Sequence, residues 1–154
     1  MRYTINNYLG QSIVVEPQVK LYLVKDFMGN DLLGLCVTLN QISDDIGDDN
    51  QYATLTTSFG DFIGIKNAAY IDTNNCPFAN QLLEQGVAVP TGLSRSSGYC
   101  QYPLWIFDEN FLKEHGVENY QKYSETFDSY VNRSEDMDET DEFDEEPDES
   151  MSMQ

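Results

Sequence analysis

Two β-prone runs, residues 20–27 and 33–40, are separated only by Met28-Gly29-Asn30-Asp31, and this pairing constrains the fold more than any other feature of the chain. Glycine and asparagine accept the positive φ that a tight hairpin demands. In the second run Leu33, Leu35, Val37 and Leu39 alternate with Gly34, Cys36, Thr38 and Asn40. A period of two puts one set on each side of a pleated strand, so one side must be covered by the rest of the protein. Cys36 then points away from the main core.

Weaker strand signals lie on either side of this hairpin. Residues 3–8 and 11–15 flank Gly10, and after the loop-forming stretch 43–50 the strands resume. Ala53, Leu55, Thr57 and Phe59 alternate with Tyr52, Thr54, Thr56 and Ser58; residues 62–66 and 69–72 follow, divided by a turn at Asn67. The pattern becomes helical over 76–85, with Asn74 or Asn75 as cap, Pro77 in the first turn, Gly86 past the end, and Phe78, Ala79, Leu82 and Leu83 as the buried stripe. Residues 90–98 read as a polar loop. Residues 99–107 read as a strand whose Pro103 requires an edge or a bulge. Asp108 caps a short helix over 109–115, and residues 117–131 form an amphipathic helix with Val117, Tyr120, Ser124, Phe127 and Val131 on one side. The expected fold is α+β: one domain with an antiparallel sheet of five or more strands, one or two packed helices and a C-terminal amphipathic helix.

That domain is expected to span residues 1–133. From Ser134 to Gln154 there are eleven Asp and Glu and no Lys or Arg, which reads as a disordered, solvated tail. The tail supplies −11 of the −19 formal charge, and the remaining −8 falls on residues 1–133. Nucleic-acid binding rests largely on phosphate neutralisation by Lys and Arg, so this balance argues against a nucleic-acid ligand and for a basic protein partner. Residues 1–133 are rich in aromatics, enough to build a core despite the charge. The first residues lack the apolar run of a secretory signal, and no stretch has the roughly 18 apolar residues of a membrane span. A cytoplasmic location is expected.

The residues that carry chemistry are sparse. Asp44, Asp45, Asp48 and Asp49 suggest Ca²⁺, yet their spacing fails the EF-hand pattern, so no metal is assigned. His115 is the single histidine and sits in what reads as the exposed last turn of a short helix, where it complements the helix dipole. The three cysteines, Cys36, Cys76 and Cys100, form no Cys-x-x-Cys pair and read as reduced thiols dispensable for activity. Motifs for a phosphate-binding loop, a nucleophile elbow or a dinucleotide site are missing, and no cofactor is assigned. The densest cluster of unusual residues runs from Tyr70 to Phe107. Within it Asp72, Thr73, Asn74, Asn75, Thr91, Arg95, Ser97 and Tyr99 form a candidate loop site if the loops border one sheet end. Turn chemistry is the competing reading, since Asn, Gly and Pro serve turns first.

Three parts of this block, Tyr70-Ile71-Asp72-Thr73-Asn74-Asn75, Pro90-Thr91-Gly92 and Ser97-Gly98-Tyr99-Cys100-x-Tyr102-Pro103, resemble a domain-of-unknown-function family of small proteins. Its members are carried on plasmids, conjugative elements and phages of Gram-positive bacteria. The resemblance covers roughly residues 20–114, and Leu39-Asn40 is also similar to the family pattern. Trp105 stands where a smaller or tyrosine-like residue is expected, and the acidic tail lies outside the pattern. The resemblance implies a mobile-element setting and no catalytic residue.

Charge and setting together give the expected function: an acidic accessory protein acting by protein–protein interaction. In its sharpest form it is an anti-defence inhibitor, anti-CRISPR or anti-restriction, that occupies a basic nucleic-acid-binding surface with carboxylates where phosphates would lie. Asp44, Asp45, Asp48, Asp49 and Asp61 are the partner-binding candidates. Two alternatives stay open. One is a small-ligand binder or enzyme using the Asp72 to Cys100 loops, and the other is a non-inhibitory accessory of conjugation or replication.

Overall fold

A computed structural model describes residues 1–7, 9–42 and 50–141, with side chains as far as Asn132 apart from that of Asn50. The hairpin forms. Strands β2 (Ser12–Lys25) and β3 (Asp31–Gln41) pair antiparallel from Val15 with Gln41 to Lys25 with Asp31. In the loop between them Asp26 Oδ1 accepts from the Met28 and Asn30 amides at 2.9 and 2.8 Å, and Gly29 takes φ +86°. This is an Asx-type closure, in which a side-chain carboxylate does the work of a backbone turn.

Strand β1 (Tyr3–Asn6) pairs with β2, and β4 (Asn50–Thr54) pairs with β3, completing a four-stranded sheet. A second antiparallel sheet holds β5 (Thr56–Thr57), β6 (Ala68–Ile71), β7 (Ala88–Ser97) and β8 (Cys100–Phe107) in the order β5-β6-β8-β7. Three helices, α1 (Ala79–Glu84), α2 (Glu109–Gly116) and α3 (Glu118–Asp141), complete the described elements. The class is α+β as expected, but the single sheet of five or more strands is two sheets of four. The reason is the fully buried Leu55, where the strand expected over 52–59 changes sheets. Its amide donates to Val37 O in the first sheet at 2.8 Å, and its carbonyl accepts from Asp72 N at 2.8 Å beside the second.

Leu35, Val37 and Leu39 are buried on the face shared with Val15, Val19, Ile13, Tyr3 and Ile5, so the register implied by the alternation is correct at the base of the ribbon. Toward the tip the pairing continues unbroken, but the opposite face is the buried one. There Leu32 and its partner Val24 are buried, while Leu33 is half-buried and Leu23 is 72% exposed. Contacts from α2 and its flank reach the base, at Tyr3 and Val19; at the tip the segment after β5 docks, with Lys25 N donating to Gly60 O and Phe62 N to Lys25 O. Residues 62–66, expected as a strand, are therefore a docked loop. Cys36 lies on the side opposite Val37 as expected, and it is buried there.

Residues 90–97, expected as a loop, belong to edge strand β7. An edge tolerates Pro90 because the lost donor has no second neighbour, and a register shift between Pro90 and Ser94 absorbs Gly92 at φ +84°. Pro103 lies in β8, an inner strand, but beyond the last residue paired with β6, Leu104. Helix α1 begins later than the pattern suggests, with Phe78 at its N-cap position and no side-chain cap.

The start of α3 is tied to both sheets. Asn119 Nδ2 donates to Val19 O at 3.0 Å, Tyr120 Oη donates to Asn67 Oδ1 at 2.9 Å, and Tyr123 Oη accepts from Asn67 N at 2.9 Å. Val117, placed by periodicity on the buried stripe, is instead 68% exposed at φ +45° in the break between α2 and α3. The chain divides into two compact units, Met1–Tyr123 and Ser124–Gln154. The helical backbone continues to Asp141, past the expected boundary at Arg133, because extending a formed helix costs far less than nucleating one.

Two substitutions test this account. Leu55→Ala should lower unfolding free energy by about 2–5 kcal/mol in urea titrations, as truncation of a buried leucine does. Gly116→Ala should cost about 1–3 kcal/mol, because a Cβ there would lie 3.0 Å from Cβ of both Val19 and Tyr120.

Candidate functional site

The candidate loop residues divide among separate local roles. Asp72 builds a turn: its Oδ1 accepts from Asn75 N at 3.2 Å and its Oδ2 from Asn75 Nδ2 at 2.8 Å, with Thr73 and Asn74 spanning it. Thr91 Oγ1 staples the β7 bulge, donating to Leu104 O at 2.8 Å and accepting from Leu93 N at 3.0 Å. Ser97 closes the β7–β8 hairpin opposite Cys100, and Tyr99 projects from its tip, fully exposed. For Asp72, Asn75 and Thr91, turn chemistry accounts for the side chains.

Arg95 behaves differently. Its guanidinium lies 4.3 Å from the centroid of Phe59 and binds Asp61 Oδ2 at 2.9 Å, while Phe59 meets Tyr70 and Tyr102 edge-on at 5.4 and 5.3 Å. Sequence spacing gave no hint that Asp61 and Arg95 would meet. Asp61 is thus a paired carboxylate on an aromatic platform. Asp44, Asp45, Asp48 and Asp49 lie outside the described residues.

The thiols are unpaired, with Cys36 and Cys76 buried and Cys100 half-buried. Cys76 Sγ donates to Thr54 O at 3.3 Å, and burial, with Asp72 adding, pushes this thiol up to about 11. It stays protonated at neutral pH, the opposite of an activated nucleophile. Tyr22, beside Cys36, donates to Thr56 O at 3.2 Å and is pushed up to about 12, chiefly by burial.

The residue that sequence reasoning misplaced is His115. It is buried, with a side chain only 3% exposed, and not on an open helix end. Its ring packs 4.8 Å from Phe111 and 6.2 Å from Tyr3. Phe111 and His115 stand four apart on α2 and so share one helix face, a signal present in the sequence. Nε2, 3.7 Å from Glu114 Oε2, finds no hydrogen-bond partner among the described residues. These groups line a cavity of ≈ 280 Å³ walled by Glu16, Pro17 and Gln18 of β2, Asn40 and Ile42 at the end of β3, and Glu114 of α2. Among the described residues no three His, Cys, Asp or Glu side chains gather closely enough to hold a metal ion.

An acidic α+β protein of two four-stranded sheets, with a buried histidine opening on a polar cleft, is the class these features define. The family described as Domain of unknown function (DUF4313) matches residues 24–127, and the chain belongs to that family. No curated protein and no solved structure matches the chain. The matched span takes in Asn40, Ile42, Glu114 and His115 of the cleft, but not Glu16, Pro17 or Gln18. No helix among the described residues is long and apolar enough to cross a membrane.

Burial lowers the His115 pKa from its ordinary 6.5; Glu114 opposes this, the Met1 amino group adds to it, and the Pro17 carbonyl and Glu16 oppose it. Protonation therefore costs more in the folded chain than in the unfolded one. Stability from this group is complete above 6.5 and is lost as pH falls from there toward the folded value. Unfolding free energy should drop as pH falls through about 6.5, by at most about 1.4 kcal/mol per pH unit. His115→Gln should remove that part of the dependence in urea titrations across this range.

Proposed function

We propose that this protein is an accessory of a mobile genetic element that acts by protein–protein contact, occupying the basic nucleic-acid-binding surface of a defence nuclease. The observation that carries the reading is the charge: −19 formal, with 27 Asp and Glu against 8 Lys and Arg. Of those few cations Arg2, Lys25, Arg95 and Lys113 already pair with Glu16, Asp31, Asp61 and Glu109. The surplus is therefore carboxylate, and a channel lined by Lys and Arg would attract it over long range. The mobile-element setting is drawn from the sequence resemblance, and the cytoplasm is where such a nuclease would be met.

In this reading the acids of residues 1–133 give register, and the tail gives attraction. Asp44, Asp45, Asp48 and Asp49 are the proposed contacts, with Asp61 contributing through its fixed position against Arg95. The tail beyond Arg133 steers approach.

Binding to the nuclease should weaken steeply as salt rises, because charges are screened beyond about 8 Å at physiological ionic strength. Truncation after Arg133 should slow association several-fold and leave inhibition intact, whereas charge reversal at residues 44–49 should cost more. Stopped-flow association and nuclease assays separate the two. Complete loss of binding on truncation, with none in the loop variant, would make the tail the effector and the folded part its carrier. Binding to a basic protein without inhibition would favour a conjugation or replication accessory.

A further inference from the structure

We propose that the cleft beside His115 is a binding site for a primary alkylammonium group, either a lysine side chain of a partner protein or a free polyamine. Three features argue for this ligand chemistry.

The first is the unpartnered imidazole nitrogen. Nε2 is buried with no partner among the described residues, and with the proton on the other ring nitrogen it would offer a lone pair. A buried acceptor with no donor is costly, and such a group calls for a partner. The second is the company it keeps. Glu114 Oε2 lies 3.7 Å from Nε2 and Glu16 lines the same cavity; the Met1 amino group and Arg2 each engage one of these carboxylates, and their remaining lone pairs are acceptors for a ligand. An ammonium offers three donors and a positive charge to such a wall, whereas an anion would meet two carboxylates. The amino group of Met1 already donates to Glu114 Oε2, so a ligand ammonium would share this carboxylate with it. The third is the shape of the remaining lining. Pro17 and Ile42 give apolar surface along which a methylene stem can lie, and ≈ 280 Å³ is open to it. A metal ion is the weaker fit, since no third ligating side chain stands close enough among the described residues.

The chain has one histidine, so its imidazole Cε1–H resonance is unique and reports the cleft without assignment. At fixed pH and ionic strength, Nα-acetyl-lysine methylamide should displace that resonance saturably. Nα-acetyl-norleucine methylamide, with a similar stem and no charge, should not; nor should tetramethylammonium, which has charge and no donors. Glu114→Gln should raise the half-saturating concentration at least about ten-fold, the order of a lost charge-assisted hydrogen bond. Glu16→Gln, a second exposed-side variant, should raise it by less, with folding of both checked by circular dichroism. Spermidine titrated in parallel assigns the source: half-saturation well below that of the lysine analogue indicates a free polyamine, and the reverse order a protein lysine. Overturning results are no displacement by either amine, equal displacement by tetramethylammonium or by Nα-acetyl-arginine methylamide, or an unchanged response in folded Glu114→Gln. The lysine source rests on the basic-partner reading above. The amine titration involves no partner, so failure of one leaves the other standing.

Discussion

The fold depends on a crossing of three residues. Thr54, Leu55 and Thr56 leave one sheet and enter the other, and hydrogen bonds converge on them from both sides. Val37 O and Asp72 N engage Leu55, Val37 N donates to Thr56 Oγ1 at 3.0 Å, Tyr22 Oη donates to Thr56 O, and Cys76 Sγ donates to Thr54 O. Neither sheet alone is large. The crossing lets two modest four-stranded sheets share one buried region, where Leu55, Ile71, Leu39 and Val37 are wholly excluded from water. It also explains the burial of polar Thr56 and Thr38. Thr38 Oγ1 donates to Gln18 O at 3.3 Å, and the hydroxyl of Thr56 serves Val37, so neither is left without a partner inside.

The helices repeat this solution at the other end. Asn67, in the left-handed region at φ +68°, takes one tyrosine hydroxyl on its amide and gives its side-chain oxygen to another. Its carbonyl accepts from Phe107 N at 2.8 Å. A turn that would otherwise be free is therefore fixed to β8 and to the first turns of α3. Close approach at Gly116 brings Val19 and Tyr120 together, and only glycine leaves the room.

What the sequence made legible was local. The hairpin over β2 and β3, the Asp108 cap whose Oδ2 accepts from Phe111 N at 3.1 Å, and Gly86 at φ +87° after α1 all follow from side-chain chemistry within a few residues. What it hid was long-range. Nothing in the alternation from Tyr52 to Phe59 announces that Leu55 is where the pairing partner changes, since a strand that switches sheets keeps its period of two. Pro90 and Gly92 looked like loop because the rule against them holds for inner strands, and β7 is an edge. The candidate site was legible as a set of unusual residues but not as an arrangement. Turns consumed Asp72, Asn75 and Thr91, and the partner of Arg95 came from Asp61, far away in sequence. His115 was misread because helix position alone says nothing about which face meets the sheet.

Strong acidity gives these choices a common logic. In a chain with 27 carboxylates, self-repulsion opposes compactness, and the few cations are most useful where they tie an acid to the fold. Arg95 does this for Asp61, and Lys25 for Asp31 at a distance of 2.5 Å. At the cleft Glu16 and Glu114 are already paired with Arg2 and the Met1 amino group, and beside them the fold buries a histidine whose burial favours the neutral form rather than a further cation. The result is a polar pocket in which both carboxylates have a cation from the chain and the buried Nε2 alone has no partner among the described residues.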